Sequence, residues 1–227
     1  MRDSLLKIRE KYTDKMQVSE MLYHVFKDAM VQGVFIPGFR LKEEDLAEIF
    51  QVSRTPVRET IKRLENEGLV TTDHVQGSII KKLQLDECLD TLEVLEWLRS
   101  AAIEFLQGHL PRPILMRLEA NLKYGSTLTD PKKQYDNNAE FHALLIKATG
   151  NTELINITER LQFKEKIIAN NILPFHYEEN YVNNHRELLA TIIDNNRDEL
   201  KKYKEHNDAL CKKYMNSLIV AYLQDEY

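Results

Sequence analysis

Four polar side chains in the second half of the chain, Asn138, His142, His185 and His206, are of types that bind metal ions. Asn138 and His142 stand four residues apart, so on a helix both project from one face and can share an ion. His185 and His206 each lie beside apolar positions, Leu188 and Leu189 for the first and Leu210 for the second, that should turn toward a helical interior. One oxygen donor and three imidazoles, drawn from three helices, is a way in which helical bundles assemble metal centres. Imidazole-rich sets suit zinc, nickel, copper or iron better than magnesium or calcium. The alternative for any single His is an ordinary exposed or hydrogen-bonded side chain, and His24, His109 and His176 read that way. A water-activating enzyme would also want a positioned general base. No HExxH pattern accompanies these histidines, and Glu140, two positions from both Asn138 and His142, should point away from them.

A second group of side chains could read DNA. Residues 53–63 hold Ser53, Arg54, Thr55, Arg58, Lys62 and Arg63, while Val57, Ile61 and Leu64 form the opposite, apolar face of one helix. An arginine can donate two hydrogen bonds to guanine O6 and N7, a contact worth about 1–3 kcal/mol of discrimination. The competing reading is a solvated cationic face, and the overall charge gives that reading some weight. The chain carries 31 Lys plus Arg against 36 Asp plus Glu, a formal net charge of −5. The first 80 residues are nearly neutral, with 12 basic and 13 acidic side chains, so any DNA affinity rests on where the cations sit.

The elements that would position these groups are mostly helical. The chain has 227 residues, 43% of them hydrophobic and 30% charged, with only 7 Gly and 6 Pro, a balance suited to helices and to real cores. Apolar residues from Val18 to Met30 recur at helical spacing and stop before Gly33; Glu43 to Phe50 fits a second, short helix. Ser53 is a suitable N-cap for a third helix ending at Gly68, with Pro56 in its first turn. Two β-prone runs, 69–72 and 78–80, flank a polar centre holding His74 and Gly77. That order spells a winged helix-turn-helix. From residue 86 onward, helices over 87–108, 112–125, 131–149, 152–171, 178–194 and 198–224 are predicted, broken at Gly, Pro and Asn. The fold class is therefore mainly α: an N-terminal winged helix-turn-helix over residues 1–82, then an antiparallel bundle of about six helices over 83–227. No apolar run approaches the roughly 20 residues of a membrane span. Cys88 and Cys211, far apart and without a CxxC partner, read as two reduced thiols in a cytoplasmic protein, with a single disulfide as the alternative.

The segments Asp45-Leu46-Ala47-Glu48, Val52 to Glu59 and Leu64 to Val70 closely resemble the DNA-binding domain of GntR-family bacterial transcription regulators. In that family the residues matching Arg54, Thr55 and Arg58 contact DNA, and a wing tip matching His74 to Gly77 enters the minor groove. Asn138 to His142, Ala148 to Asn151, Asn184 to Leu189 and Glu205-His206 resemble the helical effector domain of the family's FadR-like branch. Metal-binding members place an Asp and three His on a divalent ion, commonly zinc, nickel or manganese. Here Asn138 stands where Asp is usual, which would leave an ion's +2 uncompensated by its ligands and favour an anionic effector. Many relatives also carry Arg where Leu95 stands and Glu where Arg99 stands. Arg99 would either hold an effector carboxylate in the pocket or pair on the surface with Asp86, Glu93, Glu96 or Glu104.

The expected function is a homodimeric regulator that binds an inverted-repeat operator in double-stranded DNA and answers to a small organic acid at or near a bound metal. Its contacts would come from Ser53, Arg54, Thr55, Arg58, His74 and Gly77, with no membrane partner. The alternative is a metal-dependent enzyme for a small organic acid with an accessory DNA-binding module.

Overall fold

The alternating charges of the N-terminus give no helical signal, yet Arg2–Arg9 form a helix, α1, held by Leu5 and Ile8, both buried. The computed structural model describes residues 1–12, 15–73, 75, 77–172 and 181–225. They fall into two compact units, Met1–Gln84 and Leu85–Tyr227.

In the first unit the apolar stripe of Val18–Val31 winds into α2 and packs on α4 (Arg54–Asn66), with α3 (Glu43–Phe50) beside it. Phe26 centres this core, edge-on to Phe35 at 5.4 Å and tilted against Phe50 at 6.0 Å. Three acidic residues open α3, Glu43, Glu44 and Asp45, where negative charge meets the positive end of the helix dipole. Gln51 closes that helix at φ 54°, a left-handed conformation, and so turns the chain into α4. Ser53 occupies the N-cap position of α4, but its hydroxyl makes no capping hydrogen bond. Thr60, buried in α4, ties it to α2 by donating to the Ser19 carbonyl at 3.1 Å and to its own turn at Pro56. The hairpin follows: β1 (Val70–Asp73) pairs antiparallel with β2 (Gly77–Ile80), Val70 opposite Ile80 and Asp73 opposite Gly77. Residues 38–41 add a third, irregular edge through Gly38, Phe39 and Leu41 backbone bonds to β2 and a bridge from Arg40 to Ile79.

The described residues of the second unit form six helices: α5 (Leu85–Leu106), α6 (Arg112–Gly125), α7 (Pro131–Ala148), α8 (Thr152–Asn171), α9 (Tyr181–Ile193) and α10 (Arg197–Asp225). Asp130 and Asn151 cap α7 and α8 by accepting from the N–H groups of Lys133 and Leu154. The core lies around Phe141, Leu144 and Leu145 of α7, against Leu118, Leu188 and Ile192. Gly125, which the sequence marks as the end of a helix over 112–125, is the last residue of α6. A Cβ there would run into the Asn137 side-chain oxygen, so its absence lets α6 and α7 close. Asn121 and Asn137 then exchange side-chain to backbone hydrogen bonds at 3.1 and 3.0 Å.

Candidate DNA face and buried pocket

The first turns of α4 present Ser53, Arg54, Thr55 and Arg58 to solvent, with Val57 and Ile61 buried behind them. The two arginines are not idle. Arg58 donates through Nε and Nη2 to the Glu43 carboxylate at 2.8–3.1 Å, and Arg54 pairs with Glu44 at 2.8 Å. Those bonds hold the Glu43 carboxyl below the usual carboxylate range. Arg63, which shares this helix, turns the other way: it lies 3.5 Å over the Tyr23 ring and pairs with Glu20. It belongs to the α2–α4 packing. Gly77 sits in β2 at φ 74°, and the Arg40 guanidinium approaches to 3.5 Å of where its Cβ would stand. Arg40 is exposed beside the wing and lies in no helix or regular strand, so no periodic pattern in the sequence marks it. His74 lies outside the described residues.

In the second unit a cavity of about 290 Å³ gathers side chains from five helices. Glu96 and Arg99 come from α5, Asn138 and His142 from α7, Glu165 from α8, His185 from α9, and His206 and Asn207 from α10. All four residues named as metal ligands thus line one cavity, although they are not equivalent. The His142 and His185 rings are buried, perpendicular, with centroids 5.1 Å apart, and Phe141 stacks flat on His185 at 4.2 Å. Burial first, and then the Arg99 charge, push the imidazole of His142 well below its ordinary range and that of His185 down to about 3. Both are neutral near pH 7. His185 Nδ1 is buried and has no hydrogen-bond partner among the described residues. His206, by contrast, is exposed.

Arg99 is neither on the surface nor paired with any of the acids expected there. Its Nη1 and Nη2 donate to the two carboxylate oxygens of Glu165 at 3.0 and 2.7 Å, deep beside the two imidazoles. Glu165 went unnoticed in the sequence, yet it stands on the inward stripe of α8 with Thr158, Ile168 and Ala169. A lone acid on a buried stripe calls for a partner. Leu95 is fully buried in the core. Glu140 is exposed and faces Arg117, as its spacing from Asn138 and His142 implies.

The donor chemistry fits a transition metal at two positions: two buried neutral imidazoles, one of them with an orphan ring nitrogen. Among the described residues, no three His, Cys, Asp or Glu side chains are grouped around a common point. The charged groups of the cavity are others: Glu96, Arg99 and Glu165 share it.

Comparison with known proteins places both units. Residues 18–80 match the model of bacterial regulatory proteins of the gntR family, and residues 90–209 match the FCD domain. The uncharacterized HTH-type transcriptional regulator YdhC of Bacillus subtilis is 27% identical over 197 residues, 85% of this chain and 84% of that protein. The Nta operon transcriptional regulator of Aminobacter aminovorans is 31% identical over 137 residues, 57% of this chain and 64% of that one. Among solved structures, E. coli McbR/YncC superposes with a TM-score of 0.65 at 19% identity, covering 88% of this chain and 99% of that one, a likeness of fold. No helix among the described residues is long and apolar enough to cross a membrane. These relatives are regulators and not enzymes, and the chain belongs to their family: it is a GntR-family transcription regulator that joins a gntR-type DNA-binding domain to an FCD effector-binding domain.

Proposed function

We propose that the protein acts in the cytoplasm as a homodimer on an inverted-repeat operator, and that a small carboxylate in the pocket of the helical unit changes its hold on DNA. The observation that carries this reading is the pocket itself: it is lined by Arg99, Glu165, His142 and His185, and Arg99 Nε and His185 Nδ1 have no hydrogen-bond partner among the described residues. Ser53, Arg54, Thr55 and Arg58 would read the major groove from the start of α4, and His74 and Gly77 would serve the wing. The resemblance to regulators of this kind points to half-sites with a GT…AC core, which Arg54 or Arg58 on guanine would suit. An effector can alter DNA affinity only by binding one arrangement of the dimer better than another. Only residues 81–84 separate β2 from α5, too short a joint for a floppy tether.

The same reading allows a zinc, nickel or manganese ion on His142 and His185, with Asn138 and His206 completing the set. Such an ion would offer a Lewis-acidic point for the effector carboxylate. The chain's own part is to keep both imidazoles neutral and the Arg99 cation fixed against Glu165.

Two experiments test these assignments. Fluorescence anisotropy with an inverted-repeat duplex should show Arg58→Ala weakening specific binding about ten- to a hundredfold, as loss of one bidentate base contact does. Undiminished, sequence-specific affinity would remove Arg58 from the interface. Calorimetric titration of Asn138→Asp should show tighter metal and weaker effector binding, because the added charge balances the ion in the effector's place. Unchanged or improved effector affinity would overturn the charge argument.

A further inference from the structure

Glu96 and Arg99 lie three residues apart on α5 and both line the pocket, so one rigid helix sets a carboxylate and a guanidinium side by side, with Cβ atoms about 5–6 Å apart. They are not each other's partners. Arg99 spends Nη1 and Nη2 on Glu165, and its Nε–H is buried with no hydrogen-bond partner among the described residues. Glu96 is buried and makes no ion pair among the described residues; the Asn207 side-chain amide is its hydrogen-bond donor. Each group is therefore half-answered, in opposite senses. The Arg99 Nε–H wants an acceptor, and an ionised Glu96, with about four lone-pair positions, wants further donors. Leaving such groups unanswered out of water is costly, so a ligand that supplies both partners gains from both.

The geometry points to an effector that carries its own cation: a small zwitterion whose carboxylate lies at Arg99 Nε and whose ammonium lies at Glu96, with a short apolar spacer between. This inference rests on the reading of the cavity as an effector pocket and sharpens it. The expectation drawn from sequence placed only positive charge in the site, the ion and, in one reading, Arg99, and so asked for a simple anion. The presence of Glu96 and Glu165 in the same cavity changes what it asks for. An ammonium brings three donors in a compact group, enough to join Asn207 on the Glu96 carboxylate. Burial raises the Glu96 carboxyl above its ordinary range, so a bound ammonium would also restore the charged form that burial disfavours.

Matched probes decide the matter. Calorimetric titration of the full-length protein with 4-aminobutanoate, butanoate and butylamine, and with the five-carbon counterparts of all three, compares ligands that differ by one charged group. Neither ω-amino acid readily chelates a metal through both ends, so each difference reports the chain's own groups. The expected result is binding of at least one amino acid about tenfold or more tighter than its deaminated and decarboxylated counterparts. Glu96→Gln should erase the advantage over the plain carboxylate while leaving that carboxylate's affinity within about twofold. A plain carboxylate that binds the unmutated protein as well as the amino acid does overturns the cation subsite and leaves the effector pocket standing. Failure of all six probes overturns both. Circular dichroism of Glu96→Gln verifies its fold, and the comparison on the unmutated chain decides even if that variant does not fold.

Discussion

Two doubly hydrogen-bonded arginine–glutamate pairs with nearly the same distances sit in the two units and mean opposite things. Arg58 and Glu43 on the DNA face meet at 2.8–3.1 Å; Arg99 and Glu165 in the pocket meet at 2.7–3.0 Å. The side chains of the first pair are 57% and 31% exposed, those of the second 10% and 5%. Water and salt screen the exposed pair, so it holds Arg58 loosely and can be exchanged for nucleic acid. The buried pair has no such substitute. Each partner is the other's compensation for leaving water, and removing one strands a charge. Geometry alone does not separate a replaceable contact from a structural one; solvent does.

Removing Glu165 should break this contrast most visibly. Glu165→Ala leaves the Arg99 guanidinium buried without its counter-ion, and loss of one partner of a buried pair costs about 3–5 kcal/mol. Urea unfolding of the full chain should register a destabilisation of that size. The double variant Arg99→Met/Glu165→Leu should recover much of it, because two apolar groups leave no stranded charge. A Glu165→Ala protein with unchanged stability would mean that water reaches the pair as freely as it reaches Arg58.

The matching change on the exposed side should do little to the fold and something to function. Glu43→Ala frees Arg58 from a carboxylate that DNA must otherwise displace. Thermal unfolding should move by no more than about 2 °C, as surface substitutions usually do. Operator affinity should rise by about two- to fivefold, the scale of an exposed ion pair. Weaker binding would show that Glu43 orients Arg58 for its base and does not merely occupy it.

The same distinction explains what the sequence disclosed. The helices of both units were legible because their apolar residues repeat at 3.6-residue spacing, as from Val18 to Met30, and because Gly, Pro and Asn mark their ends. Helix α1 was not, since two buried residues, Leu5 and Ile8, make too short a stripe to stand out among alternating charges. Asn138, His142, His185 and His206 line one cavity; spacing suggested the set only in part, and the resemblance to the FadR-like effector domain supplied the rest. Their inequality was hidden: only packing leaves His206 exposed while His142 and His185 are buried. The pairing of Arg99 with Glu165 joins residues 66 positions apart. No local pattern links them, so local candidates such as Glu93 and Glu104 drew the assignment instead.

The smallest expected effect concerns the turn that holds α4 in place. Gln51 closes α3 at φ 54°, in a region that costs an L-residue roughly 1–2 kcal/mol and costs glycine little. Its side chain is exposed, so nothing packed is lost by removing it. Glycine gives back part of the gain through its greater freedom in the unfolded chain. Gln51→Gly should therefore stabilise the protein by only about 0.5–1 kcal/mol, measured by denaturant unfolding. Operator affinity then separates two roles for this turn. If φ at Gln51 is simply a strained connection, affinity stays within about twofold of the original, since the faces of α3 and α4 are fixed by Leu46, Phe50 and Val57 in the core. If the strain stiffens the turn, glycine loosens it, and affinity falls while stability rises. The exposed face would then depend on a rigidity of its backbone that the buried pocket draws from packing.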